Sequence, residues 1–148
     1  MFKVVAVVGV ACVFVLTWYV NDVRRLTRDF ACTMPFTGAV VEASVRFALA
    51  EYQAYCVIGA TTEGLYLGPS TAARNKRRWW RREYLLIKAP LFIPWTALQY
   101  HGLDSPFGAF VRFDVPSLRV GLSPVCFFIS QKTAEPLLAS VGRHIPPG

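Results

Sequence analysis

The sequence has few of the residues that most enzyme active sites use. Among its 148 residues are nine acidic side chains, two histidines and four cysteines. The acidic residues are dispersed singly, and neither His101 nor His144 lies near a nucleophile turn of the G-x-S-x-G type. The glycines at positions 64 and 68 lack the Lys-Ser/Thr pair that completes a phosphate-binding loop. The sequence therefore favours a non-enzymatic protein, with no predicted catalytic residue and no predicted cofactor.

The cysteines lack the spacing of a disulfide framework or a metal centre. No two of them form a C-x-x-C pair, and Cys12 lies within an apolar run. The other three, Cys32, Cys56 and Cys126, leave an odd number. The two histidines are too far apart in sequence to show ligand spacing. We expect free or buried thiols and no bound metal.

The longest apolar run lies at the N-terminus. Residues 4–20 read VVAVVGVACVFVLTWYV without a charge, and a helix of this length spans roughly 25 Å, at the short end for a bilayer crossing. Trp18 and Tyr19 stand where an interfacial aromatic belt belongs. A cleaved signal peptide is the alternative, but the run ends in a poor cleavage site, Trp-Tyr-Val-Asn-Asp. The run predicts a transmembrane anchor over residues 1–21 and a single-pass membrane protein.

The charges around this run give its expected orientation. Lys3 precedes it, whereas Arg24, Arg25 and Arg28 follow it at once. By the positive-inside rule this small excess favours a cytoplasmic domain. Residues 22–38 are mostly polar and end in Pro35 and Gly38, which predicts a juxtamembrane linker.

Residues 39–148 are expected to form one domain of the α+β class. Val41, Val45, Leu49 and Tyr52 recur at helical spacing and predict a leading amphipathic helix over residues 39–55. Apolar and alternating segments that follow predict strands at residues 55–60, 65–68, 83–88, 90–95, 109–115, 117–121 and 125–129. A final helix is predicted over residues 133–141, with Gly142 as its C-cap. Such an order of elements predicts a curved sheet or barrel closed by a C-terminal helix.

Two short motifs within residues 55–98 resemble a known pattern. Gly64-Leu-Tyr-Leu followed by Pro90-Leu-Phe-Ile-Pro-Trp is similar to the G-L-Y-L … P-P-L-x-I-P-W pattern of small uncharacterised bacterial proteins. The resemblance implies a pleckstrin-homology or GRAM-like fold and no established activity. Ala89 replaces the first proline of the pattern, and the segment between the motifs is longer and more basic. From the residues alone, Trp95 is expected to end a strand and pack on the core.

The net charge of +7 is concentrated in residues 74–82. Without the six cations of this basic segment, ten basic residues face nine acidic ones. The predicted partner- or lipid-binding residues are Arg74, Lys76, Arg77, Arg78, Trp79, Trp80, Arg81 and Arg82.

Three interpretations of the basic segment compete. It is a solvated loop, a surface that docks on membrane lipid or on other membrane-protein subunits, or a nucleic-acid-binding loop. We favour docking, because paired tryptophans among cations suit an interface. The sequence thus predicts a non-enzymatic accessory or scaffold subunit. The first alternative is a stand-alone sensor of anionic lipid, and an enzyme of unknown type is the second.

Overall fold

The structure, a computed structural model, is mostly one curled antiparallel sheet that forms a half-barrel with two short helices. It describes residues 22–47, 53–70, 87, 89–103, 108–117 and 121–145. Helix α1 is described over residues 22–30. The strands are β1 Val40–Phe47, β2 Gln53–Ala60, β3 Gly64–Pro69, β4 Leu91–Pro94, β5 Gln99–Leu103, β6 Phe110–Val115 and β7 Val125–Ser130. A short 3-10 helix, Trp95–Ala97, separates β4 from β5, and helix α2, Gln131–Ala139, follows β7.

Strand β1 joins the two halves of the sheet, whose order is β4-β3-β2-β1-β7-β6-β5. Along most of its length β1 pairs with β2, from Val40 opposite Gly59 to Arg46 opposite Gln53. Its other side meets β7 only where Val45 to Phe47 lie opposite Ile129 to Phe127. Strands β4 and β5 are therefore the two edges of the sheet.

The core lies on the concave face of the sheet, under helix α2. Alternate residues of β6 point inward, as the two-residue period of a strand requires. Phe113 stacks on Phe127 of β7 at 5.3 Å between ring centroids. Leu138 of α2 is 1% exposed and belongs to the same cluster. Each fully buried Phe or Leu side chain contributes about 1.5–3 kcal/mol relative to an exposed one.

Helix α1 and the segment after it belong to this domain. Leu26 of α1 is 1% exposed and is part of the core. Ala31 forms a β-bridge with Leu91, and the Cys32 amide donates to the Pro90 carbonyl at 2.8 Å. Within residues 22–38, expected to be a linker, Leu26 thus packs in the core, and Ala31 and Cys32 lie along β4.

The amphipathic helix predicted over residues 39–55 is wrong, because this region contains strand β1 and the start of β2. A spacing of four residues fits one face of a helix, but it is also a multiple of the two-residue period of a strand. Val45 and Phe47 are buried, whereas Ser44 and Arg46, which alternate with them, are partly exposed. The β-branched Val40, Val41 and Val45 favour a strand.

The predicted fold class and localisation also need correction. In the described part of the chain, no helix is long and apolar enough to cross a membrane. The span predicted at residues 4–20 lies outside the described residues. A single-pass membrane protein with a transmembrane helix before a small pleckstrin-homology-like domain is therefore not supported, and the fold is mostly a curled antiparallel sheet with two short helices.

Other elements agree with the sequence. The predicted hairpin is formed by β2 and β3, the strands predicted near residues 90, 109 and 125 are β4, β6 and β7, and the final helix is α2. Gly142 takes φ +72°, as its predicted C-cap position requires. Pro136 lies in the second turn of α2. Most of residues 83–88 and 117–121 lie outside the described residues.

Candidate functional site

The predicted binding residues, from Arg74 to Arg82, all lie outside the described residues. The strands before and after the basic segment, β3 and β4, are described. They are antiparallel neighbours, with Leu67 opposite Leu91. Ser70, only 2% exposed, donates a hydrogen bond from Oγ to Glu42 Oε1 at 2.8 Å. Ile87 is 1% exposed. Ser70 and Ile87, the described residues on either side of the basic segment, are therefore both buried.

Helix α1 brings three more arginines to the domain. Arg25 donates to the Ser123 carbonyl at 2.7 Å and lies 3.7 Å from Asp22. Arg28 pairs with Asp29 at 2.7 Å. Arg24 is exposed. Because the Cys32 amide bonds the Pro90 carbonyl, α1 ends near the start of β4.

A second polar group lies on the convex face of β5, β6 and β7. Asp114 is 7% exposed, and its Oδ1 accepts a hydrogen bond from Arg112 Nε at 3.0 Å. Its Oδ2 lies 3.2 Å from His101 Nε2. Cys126 lies opposite Asp114 in the β6–β7 ladder, and its thiol also bonds the carboxylate. One carboxylate thus connects side chains from three strands.

The electrostatics of this group argue against nucleophilic chemistry. Burial opposes ionisation of Asp114, but the hydrogen bonds from Arg112 and Cys126 and the nearby positive charges outweigh it, so the pKa of Asp114 is lowered. Burial, followed by the hydrogen bond to Asp114 and its negative charge, raises the pKa of the Cys126 thiol to about 12. Burial raises the pKa of Cys56 to about 12 as well. Both thiols stay protonated near neutral pH, whereas a nucleophilic cysteine needs its thiolate.

Metal ligands are not clustered in the described ranges. There, no group of three or more His, Cys, Asp or Glu side chains could hold a metal ion.

Trp95 has the structural role that the sequence predicts. It is 7% exposed, and its indole Nε1 donates to the Thr61 carbonyl at 2.8 Å. Its backbone amide donates to the Glu63 carbonyl at 3.0 Å. The Arg143 guanidinium lies over the indole, 4.5 Å from the ring centroid. Trp95 thus connects the β2–β3 turn to the segment after α2.

An aromatic layer that sequence reasoning missed covers the convex face of β2, β3 and β4. Each of its three rings, Phe36, Tyr66 and Phe92, lies over a glycine. A Cβ built on Gly59 would be 2.5 Å from the Phe36 ring, and one on Gly68 would be 2.5 Å from the Tyr66 hydroxyl. On Gly64 the Cβ would be 2.8 Å from the Phe92 ring and 2.5 Å from the Ile93 carbonyl oxygen.

All three rings of the aromatic layer are partly exposed. The glycines at positions 59, 64 and 68 are a sequence signal for this layer, because a glycine inside a strand often marks a close approach of another group.

Comparison of the chain with models of protein families, with curated proteins and with solved structures gives no significant match. The functional argument therefore depends on the residues and their geometry.

Proposed function

We propose that this chain is a non-enzymatic docking module that binds an acidic surface of a partner protein through the basic segment, residues 74–82. The observation that carries the proposal is the charge distribution. Six of the sixteen basic residues fall in nine positions, and Trp79 and Trp80 lie among them. Tryptophan and arginine are enriched where protein interfaces bind most strongly.

The flanking structure supports this proposal. A docking segment loses less conformational entropy on binding when its ends are already fixed. Here the flanking Ser70 and Ile87 are buried, and the strands on either side are paired.

The test compares two variants that lose the same number of charges. In the first, Arg77 and Arg78 are replaced by Ser. In the matched control, Arg24 and Lys132, exposed residues on α1 and α2, are replaced by Ser. Surface charges contribute little to stability, so both variants should fold as the wild type does.

The protein is purified from the cells that naturally produce it. The measurements are its size under native conditions and the salt dependence of any complex that it forms. We expect a discrete complex that Arg77→Ser with Arg78→Ser weakens and that the control leaves intact. Binding of that variant should also respond less to salt, because fewer ionic contacts remain. Equal complexes for both variants would contradict the proposal. A lone chain that binds phosphatidylserine vesicles through the same arginines would support the lipid sensor instead.

A further inference from the structure

The segment between α1 and β1 crosses the convex face of the sheet and places one aromatic ring there. Its backbone is tied to the β4 edge at Cys32, whose amide donates to Pro90, and it enters the sheet at Val40 opposite Gly59. Between these two points Phe36 lies over Gly59 and stacks on Tyr66, with 4.6 Å between ring centroids and 17° between ring planes. We call residues 33–39 the strap.

The position that Phe36 occupies has the shape of a site for an aromatic side chain. Glycine forms its floor, since a Cβ on Gly59 would lie 2.5 Å from the phenyl ring. Tyr66 forms one wall and offers a stacking face. Any larger residue at position 59 would close the site, so the flat floor exists only while glycine is there.

The surroundings of this slot resemble a recognition surface more than a core. Phe36 and Tyr66 both remain partly exposed. Val40, which pairs with Gly59 of the slot, is 48% exposed, and Met34 of the strap is 73% exposed. Apolar groups gathered on an exposed sheet face are typical of a surface that another chain covers.

We propose that the slot formed by Gly59 and Tyr66 is a recognition site for an aromatic side chain of a partner protein, and that Phe36 occupies it in cis as an internal ligand. The occupant seen in the structure defines the chemistry of the partner. It is a phenyl ring flanked by Pro35 and Thr37. The strap must leave the slot before the partner enters, so Phe36 lowers the apparent affinity of the site by the fraction of chains in which it is open.

The test supplies the ring in trans to the full-length chain. The probe is a synthetic peptide with the sequence of residues 33–38, Thr-Met-Pro-Phe-Thr-Gly, and its control carries Ala in place of Phe. Calorimetry measures the Kd of each peptide for the wild type and for Phe36→Ala. We expect the Phe peptide to bind Phe36→Ala at least about tenfold more tightly than it binds the wild type, because the internal competitor is gone. The Ala peptide should bind neither.

Two further variants keep the test decisive. Phe36→Leu retains an apolar side chain over Gly59 but cannot stack on Tyr66, so it serves if Phe36→Ala does not fold, and it should also bind the Phe peptide more tightly than the wild type. Gly59→Ala combined with either variant should abolish binding, because its Cβ fills the floor of the slot. Equal Kd values for the wild type and both Phe36 variants, or equal binding of the two peptides, would overturn the proposal. Wild-type dimers that disappear in Phe36→Ala would assign the slot to the strap of a second copy and would also overturn it.

Discussion

The contact between Arg143 and Trp95 gives a prediction that can be worked out in energy. Trp95→Phe removes the hydrogen bond from the indole Nε1 to the Thr61 carbonyl, which contributes about 1 kcal/mol. The smaller ring loses buried apolar area worth about 1 kcal/mol, and the weaker attraction to Arg143 costs up to about 0.5 kcal/mol more. The free energy of unfolding should fall by about 2–3 kcal/mol in total. For a chain of this size the Tm should fall by roughly 6–9 °C.

A double-mutant cycle isolates the part due to Arg143. Arg143→Gln alone should lower the free energy of unfolding by about 0.5–1 kcal/mol. In the Trp95→Leu background the same change should have almost no effect, because the aromatic face is absent. Urea unfolding followed by far-ultraviolet circular dichroism measures all four proteins.

Lys132→Gln is the matched control, since it removes one charge from an exposed position of α2. It should stay within about 0.5 kcal/mol of the wild type in either background. If Arg143→Gln had the same effect with Trp95 and with Leu at position 95, the two residues would not be coupled. The reasoning about how the chain is held after α2 would then be refuted.

Two predictions concern the group around Asp114. Because the pKa of Asp114 is lowered below its ordinary value of 3.8, its contacts stabilise the fold above that value and are lost as pH falls below it. Asp114→Asn should therefore cost about 1–2 kcal/mol in urea unfolding at pH 7 and much less near pH 3, and a difference independent of pH would contradict this. The Cys126 thiol, with its pKa raised to about 12, is ionised in about one molecule in ten thousand at pH 8. Iodoacetamide should leave Cys126 unmodified in the folded chain and should modify it after unfolding in urea. Peptide mass spectrometry detects the modification. Rapid modification of the folded chain would show that the thiol is accessible and ionised, against this prediction.

A strand can be predicted from the sequence when its own apolar and polar residues alternate clearly. Strand β6 is the plainest example, since Val111, Phe113 and Val115 face the core and Arg112 lies between them. Helix α2 is predictable for a similar reason, because its apolar face and the glycine after it are local signals. Strand β5 was missed, because Gln99–Leu103 is polar and alternates weakly at an edge of the sheet.

The arrangement of the site depends on register, which a local pattern does not reveal. Asp114 meets His101, Arg112 and Cys126 only because β5, β6 and β7 align in one particular way. Phe36 reaches Gly59 only because the strap crosses strands that lie later in the chain. The residues of both groups are visible in the sequence, but their proximity follows from pairing between distant segments. The basic segment, by contrast, is prominent in sequence because its charges are consecutive.

The narrow contact between β1 and β7 has a consequence for how the chain folds. All other neighbouring strands of the described sheet are consecutive in sequence, so each of their pairings closes a shorter loop than the pairing of β1 with β7. Strand β1, by contrast, pairs with β7, which lies at the far end of the domain's sequence. Only three residue pairs, from Val45 opposite Ile129 to Phe47 opposite Phe127, join the two strands. Pairing over such a separation carries the largest loop-closure entropy and is the step that slows folding. Until it forms, Phe47 and Phe127, whose rings are 6.1 Å apart in the folded chain, remain on two separate hairpin units, and the apolar surface of each is open to aggregation.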